Sequence, residues 1–403
     1  MYHRNARFSS RSRFANGSVA RVQSRGPGRR VFINPGLKIN VNRFINRATP
    51  HPEVAPYNAT HRFQDFAVHP TIQHNIARVG YETPTAIQDQ TIPLILAGKD
   101  VTGIANTGTG KTAAFLIPLI HKAATKRQER FLVIVPTREL AHQIQDEFLR
   151  FSQTLGLFSV VIIGGMGMGN QIRALRRNPT AVIGTPGRLK DLIERKALYL
   201  SNYQTVVLDE ADRMLDMGFI ADIRFMLTRL PSPRQTLLFS ATLSPEIDAL
   251  TRQFQNNPIK ISALTGVTPS AIDQDIVRFG SEEGKVELLH DLLKRSEFEK
   301  VLVFGQTKHS VEKLSQNLNE RGFKAASIHG NKTQSARQRA LNLFKQNEIA
   351  ILVATDVAAR GLDIPHVSHV INYDVPASYN DYVHRIGRTG RAGNSGKALT
   401  FVR

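Results

Sequence analysis

The stretch Ala105-Asn106-Thr107-Gly108-Thr109-Gly110-Lys111-Thr112, read together with Asp209-Glu210-Ala211-Asp212, decides the fold. Each closes a short apolar run, Val101 to Ile104 before the first and Thr205 to Leu208 before the second. A small-residue loop between a strand and a helix turns its backbone N–H groups toward a polyphosphate, and the helix adds its positive N-terminal end. In that reading Lys111 pairs with the terminal phosphates and the Thr112 hydroxyl sits on Mg²⁺. Asp209 belongs to the same metal shell, and Glu210 orients an attacking water. A lone acidic tetrapeptide is as readily a solvated turn. Two such motifs, each at a strand's C-terminal end in an alternating β/α pattern, point to a nucleotide hydrolase.

Composition narrows the class further. A chain of 403 residues has material for two or three domains. No apolar run approaches the ~20 residues that a membrane span needs. Cysteine is absent, which removes disulfides and Cys-zinc sites and fits a reducing, cytoplasmic setting. His3, His51 and His61 show no metal-ligand spacing.

The net charge of +20 is unevenly placed. Residues 1–52 hold ten Arg, one Lys and no acid, so that segment carries +11 and the remainder +9. Its Arg, Ser, Gly, Asn and Pro content predicts a disordered arm over residues 1–56, although Val31 to Ile45 has apolar residues able to order locally. A cationic arm beside a nucleotide hydrolase suits a polyanionic partner, because phosphate contacts release counterions. A solubilising tail and an organellar transit peptide are the competing readings. With no apolar central region, the arm does not read as a secretory signal.

From about His61 the texture becomes β-type runs separated by helical ones. The runs are Asp100–Ile104, Phe131–Val135, Ser159–Ile163, Ala181–Gly184, Thr205–Leu208 and Thr236–Phe239. Leu140 to Phe151 is one of the helical segments between them. After the turn-rich Ser262 to Ser270 the alternation restarts with Asp275–Phe279, Val301–Phe304, Ala325–Ile328, Ala350–Ala354, His369–Asn372 and Ala398–Val402. Val311, Leu314 and Leu318 mark one stripe of a helix. The expected class is α/β, with two parallel sheets, each covered on both faces. The boundaries are an arm at 1–56, a first domain at 57–262, a linker at 263–274 and a second domain at 275–403. Gly396-Lys397-Ala398 imitates a phosphate loop only weakly and reads as a plain turn, so the second half has another task, such as completing a site across a cleft.

Other motifs follow the same order. Upstream lie Phe63 and Gly80-Tyr81-Glu82-Thr83-Pro84-Thr85-Ala86-Ile87-Gln88, where the Gln88 amide offers the donor and acceptor that match the adenine edge, and Tyr81 could stack on the base. Beyond come Pro136-Thr137-Arg138-Glu139-Leu140, Gly164-Gly165, Thr185-Pro186-Gly187-Arg188 and Ser240-Ala241-Thr242. The second half adds Val301 to Phe304, Gln334 to Arg337, Thr355 to Asp363 and His384 to Arg391. Read singly, the Gly pairs are ordinary turns, Phe304 is core, His384 is structural, and Arg388 and Arg391 are a solvated basic face.

Taken in order over about residues 61 to 403, the set resembles the DEAD-box RNA helicases of helicase superfamily 2, most of all the compact bacterial RhlE type. The resemblance implies two tandem RecA-like domains that close on ATP, Mg²⁺ and RNA. It gives Phe63, Tyr81 and Gln88 to adenine, Ala105, Asn106, Thr107, Gly108, Thr109, Gly110, Lys111 and Thr112 to the phosphates, and Thr112 and Asp209 to the metal. Lys111, Asp209, Glu210 and the arginine fingers Arg388 and Arg391 are the catalytic set, with Gly361 near the nucleotide and Asp363 on the ribose. Ser240 and Thr242 would bond Asp212 and His384 and couple hydrolysis to closure. Pro136, Thr137, Arg138, Gly164, Gly165, Thr185, Gly187 and Arg188 would grip the RNA backbone from the first domain, and Gln334, Arg337 and Thr355 from the second. Backbone contacts carry no base sequence, so the expected partner is single-stranded or short duplex RNA without sequence preference. Protein partners are not legible.

Asn106 stands where many members carry Gln, a change that leaves phosphate binding intact. The chain stops at Arg403, just after the last expected strand, which leaves open a minimal second domain or a longer protein. The implied activity is ATP-driven local unwinding or remodelling of RNA. An RNA clamp with ATP as its latch shares the same residues. A DNA helicase is disfavoured by the DEAD spelling and by Gln88.

Overall fold

Short Val-, Ile- and Leu-rich runs between turns form strands that are buried on both faces, as parallel sheets require. The computed structural model describes residues 40–47, 57–106, 108–264, 272–359, 364, 366–390 and 396–403, and these fall in one compact unit, Lys38–Arg403. Thr107, Gly361, Asp363 and Arg391, the arm up to residue 39, and most of the expected linker lie outside the described residues.

The first sheet has seven parallel strands: β1 Val101–Ile104, β2 Phe131–Ile134, β3 Ser159–Ile162, β4 Ala181–Gly184, β5 Thr205–Leu208, β6 Gln235–Ser240 and β7 Ile259–Ser262. Their order is β3-β4-β2-β5-β6-β1-β7. Alternate side chains feed two cores. Phe131 and Val133 of β2 pack on one face with Phe115, Ile144 and Phe148, and Leu132 and Ile134 pack on the other with Leu189, Met214 and Ile223. The edge strand β7 escaped the sequence reading because only Ile259 and Ile261 alternate there, half-buried, beside an apparent linker.

The second sheet holds β8 Ile272–Arg278, β9 Val301–Gly305, β10 Ala325–Ile328, β11 Ile351–Thr355, β12 His369–Asn372 and β13 Gly396–Val402. It too is parallel, in the order β10-β11-β9-β12-β13-β8. The helix Lys308–Glu320 buries Val311, Leu314 and Leu318 on it, the expected stripe. Phe304 of β9 is core, as read from the sequence.

Two local expectations are corrected. The strand expected from Asp275 begins at Ile272, inside the segment read as linker, because β8 pairs with β13 along its whole length. Gly396-Lys397-Ala398 is the start of β13 and not a plain turn. Gly396 is required there, since a Cβ would lie 2.4 Å from the backbone nitrogen of Gly390. Residues 40–47 of the arm are ordered, most of them within the stretch Val31 to Ile45 that was read as able to order locally. Val41–Phe44 forms a 3₁₀ turn, and Asn46 pairs with Gln274 of β8.

Packing is tight where β1 approaches its neighbours. A Cβ on Gly103 would meet the Phe239 ring at 2.7 Å and Ile87 at 3.1 Å, and both of those side chains are fully buried. Gly103→Ala should therefore lower stability by about 1–3 kcal/mol through overpacking. Urea unfolding measures it, and an unchanged midpoint would contradict the packing argument.

Candidate active site and nucleic-acid interface

Strand order sorts the motifs before any side chain is considered. In a parallel α/β sheet the loops after the strands gather at one edge. Neighbouring β5 and β1 lead into Asp209 and Ala105 and β6 between them ends in Ser240, while β2, β4 and β3 lead into Pro136–Arg138, Thr185–Arg188 and Gly164-Gly165. The nucleotide motifs therefore share one half of the edge, and the motifs assigned to the RNA backbone share the other.

The phosphate loop is anchored at both ends. The Ala105 N–H donates to the Ser240 carbonyl at 2.9 Å, and the helix Lys111–Thr125 starts on Gly110. Gly108 and Gly110 both have φ of +87°, in the left-handed region open to glycine. A Cβ on Gly110 would also strike the Gln88 amide at 2.2 Å. Lys111 is buried, and its Nζ donates to the Ala105 carbonyl at 2.8 Å. Thr85 Oγ1 donates to the Thr109 carbonyl at 2.7 Å.

Gln88 joins this loop to the upstream motif. Its Oε1 accepts from the Thr85 N–H at 2.9 Å, and its Nε2 donates to the Gly110 carbonyl at 3.2 Å. One N–H and one lone pair of the amide are left over, the number that a base edge would use. Phe63 is buried against half-buried Tyr81, ring centroids 5.6 Å apart, and Tyr81 also meets Phe151. The next residue after Gln88, Asp89, escaped the sequence reading. Its carboxylate is only 2% exposed; it accepts from Tyr57 Oη and the N–H groups of Thr60 and His61, and it pairs with His61 Nδ1. It thereby ties the segment leading to Phe63 onto the helix Ala86–Leu96.

At the end of β5 charged side chains crowd together. Asp209 is buried, and its Oδ1 accepts from the Glu210 N–H at 2.9 Å. Glu210 adopts left-handed backbone, φ +52°, a strained conformation for a non-glycine residue that is typical of functional sites. Its carboxylate forms a buried ion pair with Arg213, which the sequence reading passed over although it directly follows Asp212. Burial pushes the Asp209 carboxyl up to about 6; the carboxylates of Glu210 and Asp212 add to the rise and Lys111 opposes it. Burial also acts upward on Glu210, but Arg213, Lys111 and Arg388 outweigh it and hold that carboxyl below its ordinary value. The pair is thus split into a cation-seeking Asp209 and a firmly ionised Glu210.

Asp212 Oδ2 accepts from the N–H groups of Ala241 and Thr242 and from Thr242 Oγ1, at 3.0–3.1 Å. The expected Thr242 link is present. Ser240 does not bond Asp212: its hydroxyl accepts from the Thr242 N–H at 3.4 Å, because the residue is fully buried at the end of β6, before the turn. Across from this turn stand His384 and Arg388 of the second domain. Together with Lys111, Glu210, Asp212, Arg213 and Ala241 they line a cavity of about 30 Å³.

On the other half of the edge, Thr137 caps the helix Arg138–Phe151. The Arg138 guanidinium lies over Gly164 and Gly165, where Cβ atoms would come within 3.1 and 2.4 Å of it. Arg188 donates to the Met166 carbonyl at 3.1 Å. Thr185 is the N-cap of the helix Pro186–Glu194, with exposed Gly187 in its first turn. Burial, together with the cations of Arg337 and Arg188, lowers the Arg138 pKa, as expected where positive charges crowd and a bound anion would relieve them.

Gln334 and Arg337 both reach Glu139 of the first domain, Arg337 Nη2 at 2.9 Å and Gln334 Nε2 at 3.4 Å. The reason is that Glu139 is almost fully buried, and an unpaired carboxylate there would be costly. They bridge the domains in this structure. Thr355, the third residue of the expected second-domain grip, ends β11. Glu139 lay inside a motif already singled out, but nothing in one sequence marks it as the acceptor.

The raised Asp209 pKa has a signed consequence. Below about pH 6 the native carboxyl keeps its proton, whereas the unfolded one loses it near 3.8. The folded state binds more protons in that window, so stability falls as pH rises through it. In nucleotide- and metal-free protein, Asp209→Asn should be more stable than the parent at pH 7.5 by about 2–3 kcal/mol, with the difference gone below about pH 4. Urea unfolding at the two pH values checks this, and equal stabilities at pH 7.5 would overturn it.

Comparison with known proteins fits this geometry. Residues 85–250 match the DEAD/DEAH box helicase family, and residues 284–393 match the helicase conserved C-terminal domain. The DEAD-box ATP-dependent RNA helicase CshA of Bacillus licheniformis is 49% identical over 343 residues, which is 84% of this chain and 70% of that protein. The ATP-dependent RNA helicase DeaD of Mycobacterium tuberculosis is 45% identical over 355 residues, 87% of this chain and 62% of that one. Among solved structures, Mss116p bound to single-stranded RNA and AMP-PNP superposes with a TM-score of 0.76 at 30% identity, covering 86% of this chain and 76% of that one. S. cerevisiae Dbp5 bound to RNA and ADP BeF3 gives 0.74 at 30% identity, covering 85% and 89%.

Proposed function

Because the chain belongs to the DEAD-box ATP-dependent RNA helicases, we propose that its two RecA-like domains hydrolyse ATP in the cleft between them and use closure to remodel RNA. The observation that carries this reading is the cavity where Lys111 and Glu210 of one domain face His384 and Arg388 of the other. Lys111 holds the terminal phosphates. Glu210, kept ionised by Arg213, orients the attacking water. Arg388, buried beside it, meets charge developing on the transferred phosphoryl group, and Arg391 is assigned the same task. Losing the γ-phosphate removes interactions that hold the domains together, which resets the clamp.

The donor set suits Mg²⁺. Asp209 is a buried carboxylate seeking a cation, and Thr112 is a hydroxyl in the first turn after Lys111. Mg²⁺ favours such sites, with one carboxylate, substrate phosphates and retained waters. When bound, the ion neutralises charge on the phosphates.

Arg138, Arg188 and the glycines beneath them take the RNA backbone, which implies single-stranded or short duplex RNA without base preference. The arm of residues 1–56 adds phosphate contacts. A cytoplasmic location belongs to this proposal, since ATP and RNA must share the compartment.

Turnover tests the reading. Glu210→Gln should lower the RNA-stimulated ATPase rate by about 10²–10⁴-fold while sparing nucleotide binding. Lys111→Ala should weaken ATP binding by about 10- to 100-fold, the loss of a charge-assisted hydrogen bond. RNA should stimulate where DNA of the same sequence does not. Near-normal turnover by Glu210→Gln would remove it from the chemistry, and equal stimulation by DNA would reassign the substrate.

Removing residues 1–39 should flatten the salt dependence of RNA binding, by about 0.7 in log–log slope for each phosphate that the arm neutralises. Identical slopes with and without the arm would show that it does not touch RNA.

A further inference from the structure

The residues just before the first domain are held by the second. Phe44 is completely buried, its ring 4.7 Å from that of Tyr382. Arg43 lies over the Tyr379 ring at 3.6 Å. Asn46 exchanges two backbone hydrogen bonds with Gln274, at 2.9 and 2.7 Å, and its side chain donates to the Ile272 carbonyl at 3.4 Å. Tyr382 Oη donates to Gln274 Oε1 at 2.8 Å, so the helix Tyr379–Ile386 and strand β8 form one preassembled seat. Because β8 ends its sheet, Asn46 pairs with groups that would otherwise be an open edge.

A short way further along, the chain is fastened to the other domain. Tyr57, Thr60 and His61 converge on buried Asp89 in the helix that carries Gln88. From Asn46 to Tyr57 is about eleven residue steps, a reach of about 36–40 Å when fully extended.

We infer that the outer edge of the second sheet, β8 with the helix Tyr379–Ile386, is a docking surface for the chain's own residues 40–47, and that this docking makes the N-terminal segment a second tether between the two domains. The first tether is the connection between β7 and β8. The contacts of Arg43, Phe44 and Asn46 named above are all with the second domain, so opening of the cleft leaves them in place. Two consequences follow from connectivity. The tether caps how far the domains separate, which raises the effective concentration of each for the other. The basic arm before residue 40 also leaves from the second domain, although it precedes the first in sequence.

The test breaks the tether without touching its anchors. The chain has no cysteine, so Gln128→Cys and Glu320→Cys, on exposed positions of the two domains, give one defined dye pair. A protease site inserted after Pro52 allows the same protein to be measured before and after cutting. Cutting should broaden the single-molecule distance distribution toward larger separations in ligand-free protein. It should also raise the KM for RNA by about 3- to 10-fold with kcat unchanged. Phe44→Ala in the uncut chain should shift the distances in the same direction, and lengthening the inserted segment should act in graded fashion. Should the cut segment leave its seat, the tether is equally broken and the expectation stands. Distance distributions that are identical before and after cutting would overturn the inference. The distances are read without ATP or RNA, so they stand apart from the ATPase reading on which the KM effect alone rests.

Discussion

The constraint on which everything else depends is that all strands of each sheet run the same way. Every strand then delivers the loop that follows it to one edge, and the helices return the chain along the faces. In the first domain the strand order β3-β4-β2-β5-β6-β1 divides that edge into two neighbouring territories. Asp209, Ser240 and the phosphate loop fall in one, and Arg138, Gly164-Gly165 and Thr185–Arg188 fall in the other. The nucleotide motifs and those proposed for the RNA backbone thus stand on the same sheet edge.

Buried charge sets the second layer of order. Glu210, Glu139 and Asp89 are all nearly inaccessible, and each would be expensive alone. Each is answered from a different part of the chain: Glu210 by Arg213 in the next turn, Asp89 by the segment Tyr57–His61, and Glu139 by Gln334 and Arg337 of the other domain. The last of these joins the two domains through a buried ion pair. Arg385 does similar work within the second domain, where its guanidinium is bidentate to Asp356 and also donates to the Asp374 carbonyl, fixing the helix that leads to Arg388. Asp209 differs from these, since burial and neighbouring acids raise its pKa and leave it matched to a cation.

The site was legible in sequence to the extent that it is local. The phosphate loop, the acidic turn after β5 and the Gly164-Gly165 turn are contiguous runs whose chemistry follows from backbone conformation and spacing. The alternation of apolar runs likewise marked nearly every strand, because buried parallel strands have little sequence freedom. Less was legible where a residue's contacts lie with a distant partner. Gln334 and Arg337 carry groups suited to phosphate, but here they meet a carboxylate 195 or more residues away. Ile272 to Gln274 looked like linker, and they become strand because β13 and Asn46 flank them.

What the sequence by itself determined was the α/β class, the tandem arrangement, and the kinds of group placed after each strand, since these rest on short-range pattern and covalent order. Only the tertiary structure decided which charges neutralise one another, which half of each edge a loop occupies, and that residues 40–47 ride on the second domain. Those outcomes depend on strand order and on burial, and both are fixed by contacts between segments far apart in the chain, for which a single sequence carries no local signal.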